Sequence, residues 1–107
     1  MENWRLSKLI SMHEEDPSDD FVQFALAQEY QKLGQIEKAL SWYQNLKANN
    51  PGYVGLYYHL GGLLADKGEV DQAIEIYNQG IDVARNQNDQ HALSELQNVK
   101  MNLELEL

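Results

Sequence analysis

The chain matches itself at a spacing of 34 residues. Leu26 aligns with Leu60, Ala27 with Gly61, Gly34 with Gly68, Ala39 with Ala73 and Tyr43 with Tyr77. Pro17 and Pro51 keep the same separation. A fixed period of this size marks an array of like structural units, each stacked on the next. Such units present surfaces to partners, so the period points to a scaffold before any single residue is considered.

The punctuation between the periodic segments is helical. Each proline biases the residue before it away from helix. Gly34 and Gly68 can close helices in the left-handed conformation. No strand-like alternation appears. These breaks leave six helical segments, at about Trp4–Glu15, Asp20–Leu33, Ile36–Ala48, Tyr53–Lys67, Asp71–Asn86 and from Asp89 onward. Each carries apolar residues at helical spacing, such as Leu6, Leu9 and Ile10 in the first and Leu93, Leu96, Val99 and Leu103 in the last. Asp20 with Gln23 is expected to form a capping box, and Asp89 to cap the last helix.

Composition narrows the function classes. With 8 Lys and Arg against 17 Asp and Glu, the formal charge is -9. A phosphate backbone or an anionic membrane is disfavoured, because both are met by basic side chains. Neither nucleic acid nor membrane is therefore expected as a partner. Two readings of the acidity stay open, a solubilising surface and attraction to a basic partner. Cysteine is absent, which removes disulfides and thiolate chemistry together. No apolar run suits a signal peptide or a membrane span, so a cytoplasmic setting is expected.

The spacing of residues within the period carries a family resemblance. The second copy reads Tyr57-x2-Leu60-Gly61-x2-Leu64 and then Ala73-x3-Tyr77. The first reads Gln23-x2-Leu26-Ala27-x2-Tyr30, then Ala39-x3-Tyr43 and Pro51. This resembles the tetratricopeptide repeat family, and in particular its short stand-alone bacterial members. The resemblance implies an all-α solenoid of antiparallel helix pairs, about six helices in one domain. Residues 1–17 would form a half repeat, 20–53 the first repeat, 54–87 the second, and 89–107 a closing helix. Small residues at Ala27, Gly61, Ala39, Ala73 and Gly80 permit close helix approach, with bulky ones filling the gaps. Three departures stand out. Gln23 replaces a large apolar residue, Leu46 stands where a small one is usual, and Arg85 replaces a proline, so the fifth helix should run on toward Asn86.

The resemblance also implies a non-catalytic adaptor that binds a peptide or helix of another protein on its concave face. By phase, that face carries Phe21, Phe24, Gln28 and Gln31 from the first repeat, and Gly55, Tyr58, His59 and Gly62 from the second. The alternative for Phe21 and Phe24 is packing on the first helix. Some family members clamp a C-terminal carboxylate with Lys, Asn and Arg on these helices. Here the matching positions hold Phe24, Gln28 and His59, so that mode is not expected. A second functional reading is structural self-association through the terminal helices, where Trp4, Leu6 and Ile10 or the tail Leu103–Leu107 would be covered. A monomer or weak homodimer is expected.

Catalytic and metal-binding patterns do not assemble. His13, His59 and His91 share no ligand spacing and are expected at the surface. The acids around Pro17 lack the spacing of a calcium loop and suit a solvated turn with helix capping. No serine sits in a nucleophile elbow and there is no glycine-rich phosphate loop. No cofactor, metal site or enzyme activity is expected. Trp42 is expected in the core.

Overall fold

The computed structural model describes residues 3–107. Among them are six α-helices and no strand: α1 (Trp4–Glu15), α2 (Asp20–Lys32), α3 (Ile36–Asn49), α4 (Gly55–Asp66), α5 (Val70–Asn86) and α6 (Gln90–Leu105). The fold class of the described residues is all-α, as expected. The helices fall into two compact units, the first ending at Tyr53 and the second spanning Val54–Leu107.

The helix ends follow the chemistry of the residues that make them. Gly34 has φ +75° and Gly68 φ +83°. At each, a pair of backbone bonds closes the helix. Gly34 N–H donates to Gln31 and Gln35 N–H to Tyr30, both at 3.0 Å; Gly68 N–H donates to Ala65 at 3.0 Å and Glu69 N–H to Leu64 at 2.9 Å. This is the Schellman arrangement, which absorbs carbonyls that a helix end leaves unpaired. Asn88, at φ 56°, closes α5 the same way. Its N–H donates to Arg85 and that of Asp89 to Ala84. Asparagine is among the few residues that adopt this backbone readily. The period does not reveal this role, because the residue 34 positions earlier is Val54.

The two proline turns are also built alike. Asp16 N–H donates to Met12 and Asn50 N–H to Leu46. Asp16 Oδ1 accepts from Ser18 N–H and Asn50 Oδ1 from Gly52 N–H, both at 3.2 Å. The acids around Pro17 thus serve the turn and the helix after it. The capping residue of α2 is Asp19 rather than Asp20. Its Oδ1 accepts from Phe21 N–H at 3.0 Å and Val22 N–H at 3.3 Å. The expected Asp20–Gln23 capping box does not form, because Gln23 turns back to the Pro17 carbonyl. Asp89 caps α6 as expected, accepting from Ala92 N–H.

In the first unit α2 packs between α1 and α3. The start of α1 lies beside the end of α2. Arg5 Nε pairs with Glu29 Oε1 at 3.0 Å, and Asn3 Nδ2 donates to Glu29 Oε2 at 3.3 Å. The start of α2 meets the end of α3, where Asn50 Nδ2 donates to Asp20 Oδ2. Both pairs are therefore antiparallel. Val22, Leu26, Ala27, Ala39, Tyr43 and Leu46 are buried, and full burial of one such large side chain is worth roughly 1.5–3 kcal/mol. Leu46 thus fills a position where a small residue is usual. Trp42 is half-buried rather than core, and its ring meets His13 edge-on at 4.9 Å. His13 is correspondingly half-buried, not at the surface.

In the second unit α5 packs on both α4 and α6. Two glycines set the approach. A Cβ on Gly61 would fall on the Tyr77 ring, and one on Gly80 would meet Tyr57 and Leu96. These crossed contacts make α4 and α5 antiparallel. With no proline at Arg85, α5 runs to Asn86 as expected. Leu96 is buried and Leu103 half-buried, whereas Leu105 and Leu107 are exposed, and Leu107 lies beyond the helix.

Candidate functional site

The eight expected contact residues divide between the units, on α2 and on α4. On α2, Phe21, Phe24, Gln28 and Gln31 form one stripe, since spacings of three and four residues return to the same helix face. Phe21 is 65% exposed. Phe24 is half-buried, and its ring lies 5.3 Å from that of Tyr53 and 6.2 Å from that of Tyr43. It therefore makes its ring contacts with α3 and the turn that follows α3. Gln28 and Gln31 are half-buried. Tyr43 donates from its hydroxyl to Gln31 Oε1 at 3.0 Å. Burial holds that hydroxyl far above the ordinary tyrosine range, so it stays a donor at any physiological pH.

Tyr53 joins this stripe without having been expected there. Burial raises its hydroxyl pKa, with further contributions from the negative charges of Asp20 and Asp19. The repeat could not reveal it, because its partner 34 residues earlier is Asp19.

On α4, Gly55 opens the helix and Tyr58, His59 and Gly62 continue one face. All four are half-buried. The rings of Tyr58 and His59 meet edge-on at 5.4 Å. His59 is therefore not the surface histidine expected. Burial lowers its pKa below the ordinary histidine value, and the charge of Glu95 on α6 opposes that shift. The imidazole is neutral at pH 7, so one of its nitrogens is a donor and the other an acceptor. A Cβ on Gly62 would come no closer than 3.9 Å to the Tyr77 hydroxyl, so a methyl group fits here.

Aromatic faces, amides and a neutral imidazole can grip a polypeptide by stacking and hydrogen bonding. Among the described residues no group of three or more His, Cys, Asp or Glu side chains could hold a metal ion. No helix among them is long and apolar enough to cross a membrane.

A family model described as tetratricopeptide repeat matches residues 22–52 and again 54–87. The chain belongs to the tetratricopeptide repeat family. Two solved structures of a tetratricopeptide repeat domain protein from Salinibacter ruber are similar to it. The crystal structure is 45% identical, covers 80% of this chain and 96% of that one, and superposes with a TM-score of 0.77. The solution structure is 46% identical, covers 83% and 90%, and has a TM-score of 0.80. A Bordetella parapertussis protein shares the fold at 24% identity, over 99% of this chain and 91% of that one, with a TM-score of 0.84. A search among curated proteins finds no match. Tetratricopeptide repeats generally mediate protein–protein interaction, and proteins of the family are generally non-catalytic scaffolds. The family's two matched repeats begin on α2 and α4, the helices that carry the eight residues.

Proposed function

We infer that the chain is a non-catalytic adaptor for a peptide or helix of another protein, with the α2 stripe of the first unit and the α4 stripe of the second each a contact surface. The observation that carries this is the α2 stripe. Phe24 is held by Tyr43 and Tyr53, while Phe21 beside it stays 65% exposed. Aromatic side chains supply large contact area at small cost in conformational entropy, and they dominate binding hot spots. Phe21 lies outside the core, one helical turn from Phe24, which suits an anchor for a partner. On α4, Tyr58 and His59 add a second aromatic pair with hydrogen-bonding edges.

The test is photo-crosslinking in the native host. A photoreactive residue at Gln28 or Tyr58 should crosslink a partner protein, whereas one at the exposed Glu75 of α5 should not. Tyr58→Ala and His59→Ala should weaken capture while leaving the helical circular dichroism unchanged. Crosslinks from Glu75 alone would move the site off these helices.

One observation favours a second reading, self-association. Trp4 on α1 is 77% exposed, with Ile10 and Met12 also open. A two-fold dimer through α1 would cover Trp4 and Ile10. Sedimentation equilibrium over a range of concentrations separates this from a monomer, and Trp4→Ala with Ile10→Glu should abolish any dimer made this way.

A further inference from the structure

The repeat supplies its own control for one cleft. It opens in the first unit, has a volume of about 470 Å3, and is lined by Pro17, Ser18, Asp20, Gln23, Asn49 and Asn50. Each lining residue has a counterpart 34 positions later. Pro51 matches the proline. Elsewhere polarity is exchanged: Asp20 stands for Val54, Gln23 for Tyr57, Asn49 for Val83, Asn50 for Ala84 and Ser18 for Gly52. In the second unit Tyr57 is 2% exposed, and its Cβ lies where a side chain on Gly80 would begin. That position is filled with apolar bulk. In the first unit it holds a shorter, polar side chain beside a cleft.

Gln23 is only 3% exposed. Its Nε2 donates to the Pro17 carbonyl at 2.8 Å, while its Oε1 is buried with no hydrogen-bond partner. The amide cannot be turned round to relieve this, since a carbonyl only accepts and must face the nitrogen. A buried acceptor left without a donor carries an uncompensated desolvation cost. Gln23 lines the cleft, and a donor that reaches this oxygen from there would remove the cost.

The cleft also holds further acceptors beside the amides of Asn49 and Asn50. Asp20 contributes a carboxylate, with Oδ2 taking a hydrogen bond from Asn50 Nδ2 at 2.6 Å. Ser18 Oγ donates its proton to Asp16 Oδ1 at 2.6 Å, which leaves its lone pairs. No lining residue is basic. The carboxyl end of α3 adds partial negative charge at Asn49, and the amino end of α2, the opposite pole, is capped by Asp19. Glu14, Glu15 and Asp16 lie just before the cleft in the chain, which carries -9 overall.

This arrangement selects a cation with several donors spread in space. A bare metal ion needs more carboxylate than the single one here. An ammonium concentrates its donors on one atom. A guanidinium presents five N–H groups in a plane, so it can hold a carboxylate with two and still reach a neighbouring amide oxygen. We propose that this cleft takes the guanidinium of an arginine from a basic segment of a partner protein. The proposal rests on the adaptor reading, but none of its lining residues is among the eight of the α2 and α4 contact stripes.

The test uses the full chain, labelled with 15N and titrated with N-acetylargininamide. Saturable shifts are expected at the Gln23 side-chain amide and at the backbone amides of Ser18 and Asp20. The neutral isostere N-acetylcitrullinamide should give none, and N-acetyllysinamide and calcium chloride should act only at several-fold higher concentration. Asp20→Asn should weaken arginine binding about tenfold, the scale of one charge-assisted hydrogen bond. Gln23→Tyr, which restores the residue of the second repeat, should abolish binding and raise the melting temperature. If Gln23→Tyr fails to fold, Asp20→Asn still decides. No saturable shift, equal shifts from citrulline, tighter saturation by calcium, or an unaffected Asp20→Asn would each overturn the proposal. Since the titration does not require the partner, such a failure alongside retained crosslinking at Tyr58 rejects the cleft and keeps the adaptor.

Discussion

Gly61 on α4 and Tyr77 on α5 share one volume. A Cβ built on Gly61 would fall on the Tyr77 ring, 2.6 Å from Cδ1 and 2.9 Å from Cζ. Tyr77 is buried, so its ring cannot swing into solvent to make room. The next residue, Gly62, has 3.9 Å to its nearest such neighbour. Two adjacent glycines in one helix thus differ in what they permit.

Alanine at these two positions should have opposite effects. Gly61→Ala gains up to about 1 kcal/mol of helix propensity but overpacks the α4–α5 contact, at a cost of roughly 1–3 kcal/mol. The net change should be destabilising. Gly62→Ala makes only an ordinary van der Waals contact with the Tyr77 hydroxyl and should stabilise by about 0.4–1 kcal/mol. Urea denaturation of both variants measures the difference; a Gly61→Ala protein as stable as the parent would refute the packing described.

The cap of α2 offers a second test. Asp19 Oδ1 accepts two backbone N–H groups, so Asp19→Ala should cost about 0.5–2 kcal/mol. Asp19→Asn should recover most of it, because an amide oxygen also caps. Thermal melts of the two variants suffice. Equal loss in both would assign the effect to charge and not to the cap.

Tyr43 is the third. It is buried and donates to Gln31 Oε1. Tyr43→Phe keeps the packing and removes that bond, so a loss of about 0.5–1.5 kcal/mol is expected. Pairing it with Gln31→Met in a double-mutant cycle isolates the interaction. A coupling of zero would show that the bond contributes nothing to stability.

His59 predicts a pH dependence. Its pKa in the folded chain is lowered, first by burial, with Glu95 opposing. In the unfolded chain it takes the ordinary value of 6.5. Above that value both states are neutral and the group contributes nothing. As pH falls below it, the unfolded state binds a proton that the folded state resists, so stability is lost until the folded value is passed. His59→Gln should remove this component. Urea melts at pH 7.5 and 5.5, on parent and variant, compare the slopes; an unchanged slope would mean that His59 is not desolvated.

Helix order, the glycine caps at Gly34 and Gly68, the long α5 and the close approach at Gly61 could all be read from the 34-residue period. These depend on local backbone chemistry and on patterns the chain states twice. The capping residue of α2 was misassigned to Asp20, because Asp19 and Asp20 are both competent and only geometry chooses between them. His13 and His59 looked like surface residues because each occurs singly, and their burial comes from Trp42 and from the packing around α4 and α6.

The sequence alone determined the family and the six-helix order, since repetition records which positions must be small, bulky or turned. It also nominated the α2 and α4 stripes through their phase. Only the tertiary structure decided how individual side chains are spent: Phe24 against Tyr43 and Tyr53, and Gln23 bound to Pro17 with one oxygen left over. Those outcomes rest on contacts between residues distant in the chain, where a departure from the period looks the same whether it is tolerated or used.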